Sequence, residues 1–230
     1  MPRVELGTIL VTGGASGLGA AVADAVFRCG GRPIVLDLND GPEWCETERV
    51  DLADGRAAEA AVHGVAERHG RIDGVVAAAG IDACGDLADV APAAWERVVA
   101  VNLLGTVAVV RAALPHLERR GGRVVTVAST LGIRALPAAT AYCASKFGVV
   151  GFTRALAAET AGRVGVTLLV PGGMSTAFFD GREERFRPPP DASLNRPEDV
   201  AEAVVFALSQ PPGCEVREMV VCPAGEPSWP

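Results

Sequence analysis

Apolar positions fall along this chain in two alternating kinds of run. Short blocks rich in Val, Ile and Leu occupy Thr8 to Thr12, Pro33 to Asp37, Arg49 to Asp51, Gly74 to Ala78, Gly122 to Ala128, Val164 to Val170 and Glu218 to Cys222. Runs of this length, apolar on both sides, predict strands buried on both faces. Between most of them lie longer Ala-rich segments with helical spacing: Gly17 to Cys29, Gly55 to His69, Pro92 to Glu118, Ala139 to Ala161 and Pro197 to Leu208. Alternation of this kind predicts an α/β fold, a doubly wound, mainly parallel seven-stranded sheet with helices on both faces. No repeat and no Ser/Gly linker divides the 230 residues, so one domain is expected. The rhythm breaks over 175–196, where Phe178, Phe179, Phe186 and Pro188-Pro189-Pro190 fit neither strand nor long helix. A loop that long is usually functional; its aromatics suggest a lid, with a disordered surface loop as the alternative.

Composition narrows the function. Nearly half the residues are apolar, and the net charge of -7 argues against nucleic acid, whose phosphates attract clustered Lys and Arg. Arg119-Arg120 and the spaced Arg182, Arg185 and Arg187 are expected on solvated faces. Met1 to Leu6 lacks the basic start of a secretory signal, and the apolar stretches are broken short of the ~20 residues that span a bilayer. These features set the expectation of a cytoplasmic protein with no membrane partner. The six cysteines (Cys29, Cys45, Cys84, Cys143, Cys214, Cys222) form no CxxC pair and read as small buried hydrophobes. His63, His69 and His116 lack metal-ligand spacing, so no metal is expected.

The first strand runs into Thr12-Gly13-Gly14-Ala15-Ser16-Gly17-Leu18-Gly19, and a helix follows at once. Glycines here permit a tight turn, close backbone approach to a pyrophosphate and close packing of helix on sheet. The helix start offers N–H groups and the positive dipole end to phosphates. Asp37 ends the second strand, where a carboxylate can accept hydrogen bonds from an adenosine ribose or serve simply as a strand-end cap. It would repel a 2′-phosphate, and neither Ser16 nor Leu38 is a cation, so NAD is favoured over NADP.

Tyr142 and Lys146 stand four residues apart in a helical segment, which places them on one face. They are the chain's only tyrosine and only lysine. A free phenol titrates near ~10, too high for efficient proton exchange at neutral pH, and a nearby ammonium lowers that value. Ser129 ends the fifth strand, at the sheet edge where ligands gather, and its hydroxyl can hold a substrate oxygen.

Together these residues resemble the short-chain dehydrogenase/reductase family, whose members have the Rossmann fold, over nearly the whole chain. Thr12 to Gly19 is similar to its cofactor turn, and Tyr142-Cys143-Ala144-Ser145-Lys146 to its YxxxK. Ser129 lies at the family's spacing before Tyr142. Asn102 matches its helix asparagine, which supports a water-mediated proton relay. Pro171-Gly172-Gly173-Met174-Ser175-Thr176 resembles the stretch that holds the nicotinamide carboxamide, and Asp51-Leu52 the pair beside the adenine. The resemblance implies a site in which Asn102, Ser129, Tyr142 and Lys146 carry catalysis. It implies cofactor contacts from Gly13, Ser16, Gly17, Leu18, Gly19, Asp37, Leu38, Asp51, Leu52, Ala79, Gly80, Tyr142, Lys146, Pro171, Gly172, Met174 and Thr176. The implied reaction moves a hydride between NAD(H) and an alcohol or ketone, with Tyr142 exchanging the proton and Lys146 lowering its pKa and bonding the ribose.

Two stretches depart from the family pattern. Ala77-Ala78-Ala79-Gly80 stands where Asn-Asn-Ala-Gly is usual, which puts local packing in question. Cys222 to Pro230 replaces a Gly-rich turn and reads either as a surface for a neighbouring subunit or as a frayed end. Leu131, Ile133, Leu136, Pro137, Met174, Phe178 and Phe179 imply a mostly apolar pocket and a hydrophobic alcohol or ketone. Arg134 is expected to face solvent, the alternative being that it binds an acidic group. The resemblance also implies a homodimer or homotetramer built partly on the Tyr142 helix. Competing readings are an NADP-dependent ketoreductase of carbonyl or acyl-carrier substrates, a silent dinucleotide sensor and, less fitting, a nucleotide-binding methyltransferase.

Overall fold

Thirteen regular elements follow one another in the computed structural model, which describes residues 6–226 and 229. They are β1 (Thr8–Thr12), α1 (Gly17–Arg28), β2 (Arg32–Asp37), β3 (Glu46–Arg49), α2 (Gly55–His69), β4 (Gly74–Ala77), α3 (Pro92–Val99), α4 (Thr106–Glu118), β5 (Arg123–Val127), α5 (Thr140–Glu159), β6 (Gly165–Pro171), α6 (Pro197–Leu208) and β7 (Glu218–Val221). The strands form one sheet in the order β3-β2-β1-β4-β5-β6-β7, every neighbouring pair parallel. Strand order reverses between β1 and β4, and doubly wound sheets open a ligand crevice at the carboxyl edge there.

Period-2 alternation explains the two-faced core. Leu10, Val75, Val124 and Val166 point to the face covered by α2 and α4. Their neighbours Ile9, Val11, Val76, Val125 and Leu169 point to the face covered by α1 and α6. Full burial of such a side chain stabilises by about 1.5–3 kcal/mol, so the central strands anchor everything built on their ends.

Several expectations shift. The third strand lies at Glu46–Arg49, upstream of the expected Arg49 to Asp51. It is an edge strand with half-exposed polar side chains, so its sequence carries no apolar signal. The segment Pro92–Glu118 is helical throughout, but a wider π turn at Ala100–Gly105 separates α3 from α4. By length and composition this segment could cross a membrane, contrary to the expectation that the apolar runs stop short; more than half of its apolar window is buried inside the fold. Among the cysteines only Cys143 is buried, and Cys214 is exposed, so the buried-hydrophobe reading fails for most of them. Trp229 packs against the cluster of Ala128, Val149, Val150, Leu168 and Val170 of its own chain. Pro227, Ser228 and Pro230, like Met1 to Glu5 of the amino terminus, lie outside the described residues.

Candidate active site

A cavity of about 650 Å³ opens at the carboxyl ends of the central strands. One arm lies along the glycine turn. Gly13 adopts a left-handed φ of 69°, and a Cβ there would come within 2.7 Å of the Ala79 backbone. A Cβ on Gly19 would sit 2.1 Å from the Gly13 carbonyl oxygen. Only glycine allows α1 to start this close to the turn. Ser16, the residue before α1, donates and accepts no capping hydrogen bond, and the first turn holds no acid. By contrast, the Asp54 carboxylate caps α2 by accepting from the Arg56 and Ala57 N–H groups. The start of α1 therefore keeps its N–H groups and positive dipole end for an external anion. Bare glycine backbone beside an uncapped helix start fits a dinucleotide's pyrophosphate.

Asp37 lines the same arm and is also a structural brace. Its Oδ2 accepts from the Ala15 N–H at 3.0 Å and its Oδ1 from the Asn39 N–H at 2.9 Å. Further along, Asp51 accepts from the Ala53 N–H at 2.9 Å and pairs with Arg97 at 3.1 Å. The Ala53 bond and then Arg97 hold its carboxyl below the usual range.

The other arm holds the chemistry. Tyr142 and Lys146 share one face of α5, and both are buried. Burial pushes the phenol up to about 12, while a hydrogen bond with Ser129 acts in the opposite direction. Burial alone pushes the Lys146 ammonium down to about 8. Lys146 Nζ donates to the Val127 carbonyl at 2.8 Å and lies 5.6 Å from the Tyr142 ring centroid. The expected lowering of the phenol is therefore outweighed here, because desolvation of the ring exceeds the influence of its neighbours. Ser129 Oγ also accepts from the Leu131 N–H at 3.1 Å, which fixes the hydroxyl at the end of β5.

Asn102 stands behind this wall, in the π turn. Its Oδ1 accepts from the Ile81 N–H at 2.8 Å, and its Nδ2 donates to the Ile81 carbonyl at 2.9 Å and to Ser145 Oγ at 3.0 Å. One amide thus ties the loop after β4 to the helix carrying Tyr142. Thr12 Oγ1 accepts from the Ala79 N–H at 3.1 Å. These two side chains hold the loop in which alanines replace the usual asparagines.

Every other expected site residue lies on the cavity wall, from Gly13 to Thr176. Among the expected pocket residues, Leu131, Leu136, Met174, Phe178 and Phe179 line it. Ile133, Arg134 and Pro137 are exposed on the outer side of their loop. The segment 175–196 contains two short helical turns, Ala177–Phe179 and Glu184–Phe186, contributes Phe178, Phe179 and Arg182 to the cavity wall, and is bridged at its ends where Met174 pairs with Asn195.

Sequence reasoning missed two charged residues and misplaced one of them. Arg182 was expected on a solvated face with Arg185 and Arg187. Instead its side chain is 14% exposed and lies over the Phe178 and Phe179 rings, its Cζ 4.4 and 4.8 Å from their centroids. It faces Asp82, 6% exposed, at 3.3 Å. Both line the cavity next to Tyr142, whose ring meets Phe178 at 5.5 Å. The loop after β4, at the carboxyl edge, was the available signal for Asp82.

The family model described as short chain dehydrogenase matches residues 7–185. The chain belongs to that family. It is 34% identical to 2-(S)-hydroxypropyl-CoM dehydrogenase 3 of Xanthobacter autotrophicus, over 90% of this chain and 91% of that protein. It is 36% identical to D-threitol dehydrogenase of Mycolicibacterium smegmatis, over 90% of this chain and 87% of the relative. Among solved structures, the alcohol dehydrogenase from the archaeon Thermococcus sibiricus, complexed with 5-hydroxy-NADP, superposes with a TM-score of 0.82. That pair is 25% identical, with 93% of this chain and 95% of the other covered. This member of the short-chain dehydrogenases is thus an NAD(P)-dependent oxidoreductase acting on a small molecule.

Proposed function

We propose that this short-chain dehydrogenase uses NAD(H) in preference to NADP(H) and interconverts a secondary alcohol and a ketone held between largely apolar walls. The observation that carries the reading is the buried Tyr142 phenol bonded to Ser129, above Lys146, in the same cavity as the glycine turn and Asp37. A bound nicotinamide supplies or accepts the hydride. Ser129 holds the substrate oxygen, and Tyr142, neutral at pH 7, has the proton needed as a carbonyl becomes an alcohol. Lys146 lies beneath the ring, where its charge favours the phenolate in the reverse direction. Asn102 contributes by position, fixing the loop and helix that flank Lys146.

Gly13, Ser16, Gly17, Leu18 and Gly19 would hold the pyrophosphate side of the dinucleotide. Asp37 and Leu38 would meet the adenosine ribose, and Asp51 and Leu52 the adenine. Ala79, Gly80, Pro171, Gly172, Met174 and Thr176 would surround the nicotinamide half. A carboxylate at Asp37 opposes a 2′-phosphate, which supports NAD. The test is Asp37→Ala, read as the ratio of NADH to NADPH dissociation constants. NADH affinity should fall roughly tenfold or more, since a charge-assisted hydrogen bond is lost and the Ala15 brace with it. The preference for NADH should collapse; a ratio that stays put would reduce Asp37 to a brace alone.

A further inference from the structure

The Asp82–Arg182 pair has a geometry that the hydride-transfer reading does not use. Arg182 Nη2 is buried and has no hydrogen-bond partner among the described residues, although Asp82 Oδ2 neutralises its charge from 3.3 Å. The guanidinium lies against both Phe178 and Phe179, two rings at 78° to each other, a cation–π arrangement that restricts its movement. Asp82 Oδ1 accepts from the Ala83 N–H at 2.7 Å and Oδ2 from the Cys84 thiol at 3.2 Å. A carboxylate has about four lone-pair sites, so acceptor capacity remains. Phe178 touches both Tyr142 and Arg182, so this pair is one ring away from the proposed proton donor.

We propose that Arg182 and Asp82 form a specificity site for a second, unreacting hydroxyl on the substrate, so that the enzyme acts on neutral hydroxyketones and the corresponding diols. This rests on the proposed hydride transfer at Tyr142. A hydroxyl accepts from Arg182 Nη2 and donates to Asp82, satisfying a buried donor that a plain ketone leaves unpaired. An additional carboxylate or phosphate would leave uncompensated negative charge beside Asp82 in a desolvated pocket, and an ammonium would meet Arg182. In the reductive direction the carbonyl carbon gains a hydride from the reduced nicotinamide and its oxygen gains the Tyr142 proton. The second hydroxyl emerges unchanged.

The experiment compares kcat/KM for 2-butanone, 3-hydroxy-2-butanone and 3-oxobutanoate, with NADH, in the wild type, Arg182→Met and Arg182→Lys. The expected result is at least about a tenfold preference for the hydroxyketone over both others, since sites built to hydrogen-bond reject analogues lacking the group. Arg182→Met should bring the hydroxyketone-to-ketone ratio near one, and Arg182→Lys should restore part of it. A mere latch for the lid would change all three substrates together and leave the ratio intact, which overturns the proposal. So does a ratio near one in the wild type, or a preference for 3-oxobutanoate. Calorimetric titration with 2,3-butanediol and 2-butanol, with and without NADH, supplies the arm that needs no turnover. Tighter diol binding lost in Arg182→Met supports the specificity site even if no ketone is reduced, a result that would count against hydride transfer alone. Equal binding of diol and alcohol overturns the specificity site.

Discussion

Lys146 and Tyr142 sit one turn apart on α5, and burial moves their titrations in opposite senses. The lysine's folded value is about 8 against an ordinary 10.5, so between those values the unfolded chain binds more protons and stability rises with pH. The tyrosine acts the other way, removing stability as pH climbs from 10.0 towards about 12. The lysine's part is isolated by comparison with Lys146→Met. The wild type should gain stability relative to that variant from pH 8 to 10, measured by urea unfolding without added nucleotide. A constant difference across that window would contradict burial of the ammonium. Tyr142→Phe removes only the hydroxyl. It should leave NADH binding within about threefold while turnover falls roughly 10²–10⁴-fold, the usual worth of general acid–base catalysis.

At the level of elements, one amide joins three of them. Asn102, in the turn between α3 and α4, bonds the Ile81 backbone after β4 and Ser145 on α5. Asn102→Ala leaves those buried groups without their partner, which costs about 1–3 kcal/mol. Urea unfolding should show that loss, with kcat falling as Lys146 loses its frame. The bounds of β1, α2 and α6 were legible in the chain, because an apolar block or a periodic Ala-rich run ended at glycine, proline or a capping residue. β3 was not, since an edge strand made only of polar and charged residues leaves no such trace. The glycine turn and the Tyr142–Lys146 spacing were also legible, being local patterns imposed by their chemistry. Asp82 and Arg182 meet from opposite parts of the chain, and no spacing rule links them. Arg185 and Arg187 are exposed as expected, so the run of arginines concealed the one that folds inward.

For the molecule as a whole, the outer side of α5 and the turn before α4 present Phe147 and Leu104, 44% and 56% exposed. Apolar side chains of that size on adjoining elements suit a self-complementary contact with a second copy. Light scattering after size exclusion should therefore give a dimer or tetramer at micromolar concentration, and Phe147→Glu should shift it towards monomer. A monomeric wild type would remove this surface from consideration.

One cavity is proposed to bind NAD(H) and deliver a Tyr142 proton to a carbonyl oxygen. The most direct test is a fluorescence titration of the purified protein with NADH and NADPH, followed by ketone-dependent oxidation in wild type and Tyr142→Phe. NADH should bind more tightly than NADPH in both proteins, and oxidation in the wild type should nearly vanish in the variant. Oxidation undiminished by Tyr142→Phe, or no binding of either nucleotide, would contradict that proposal.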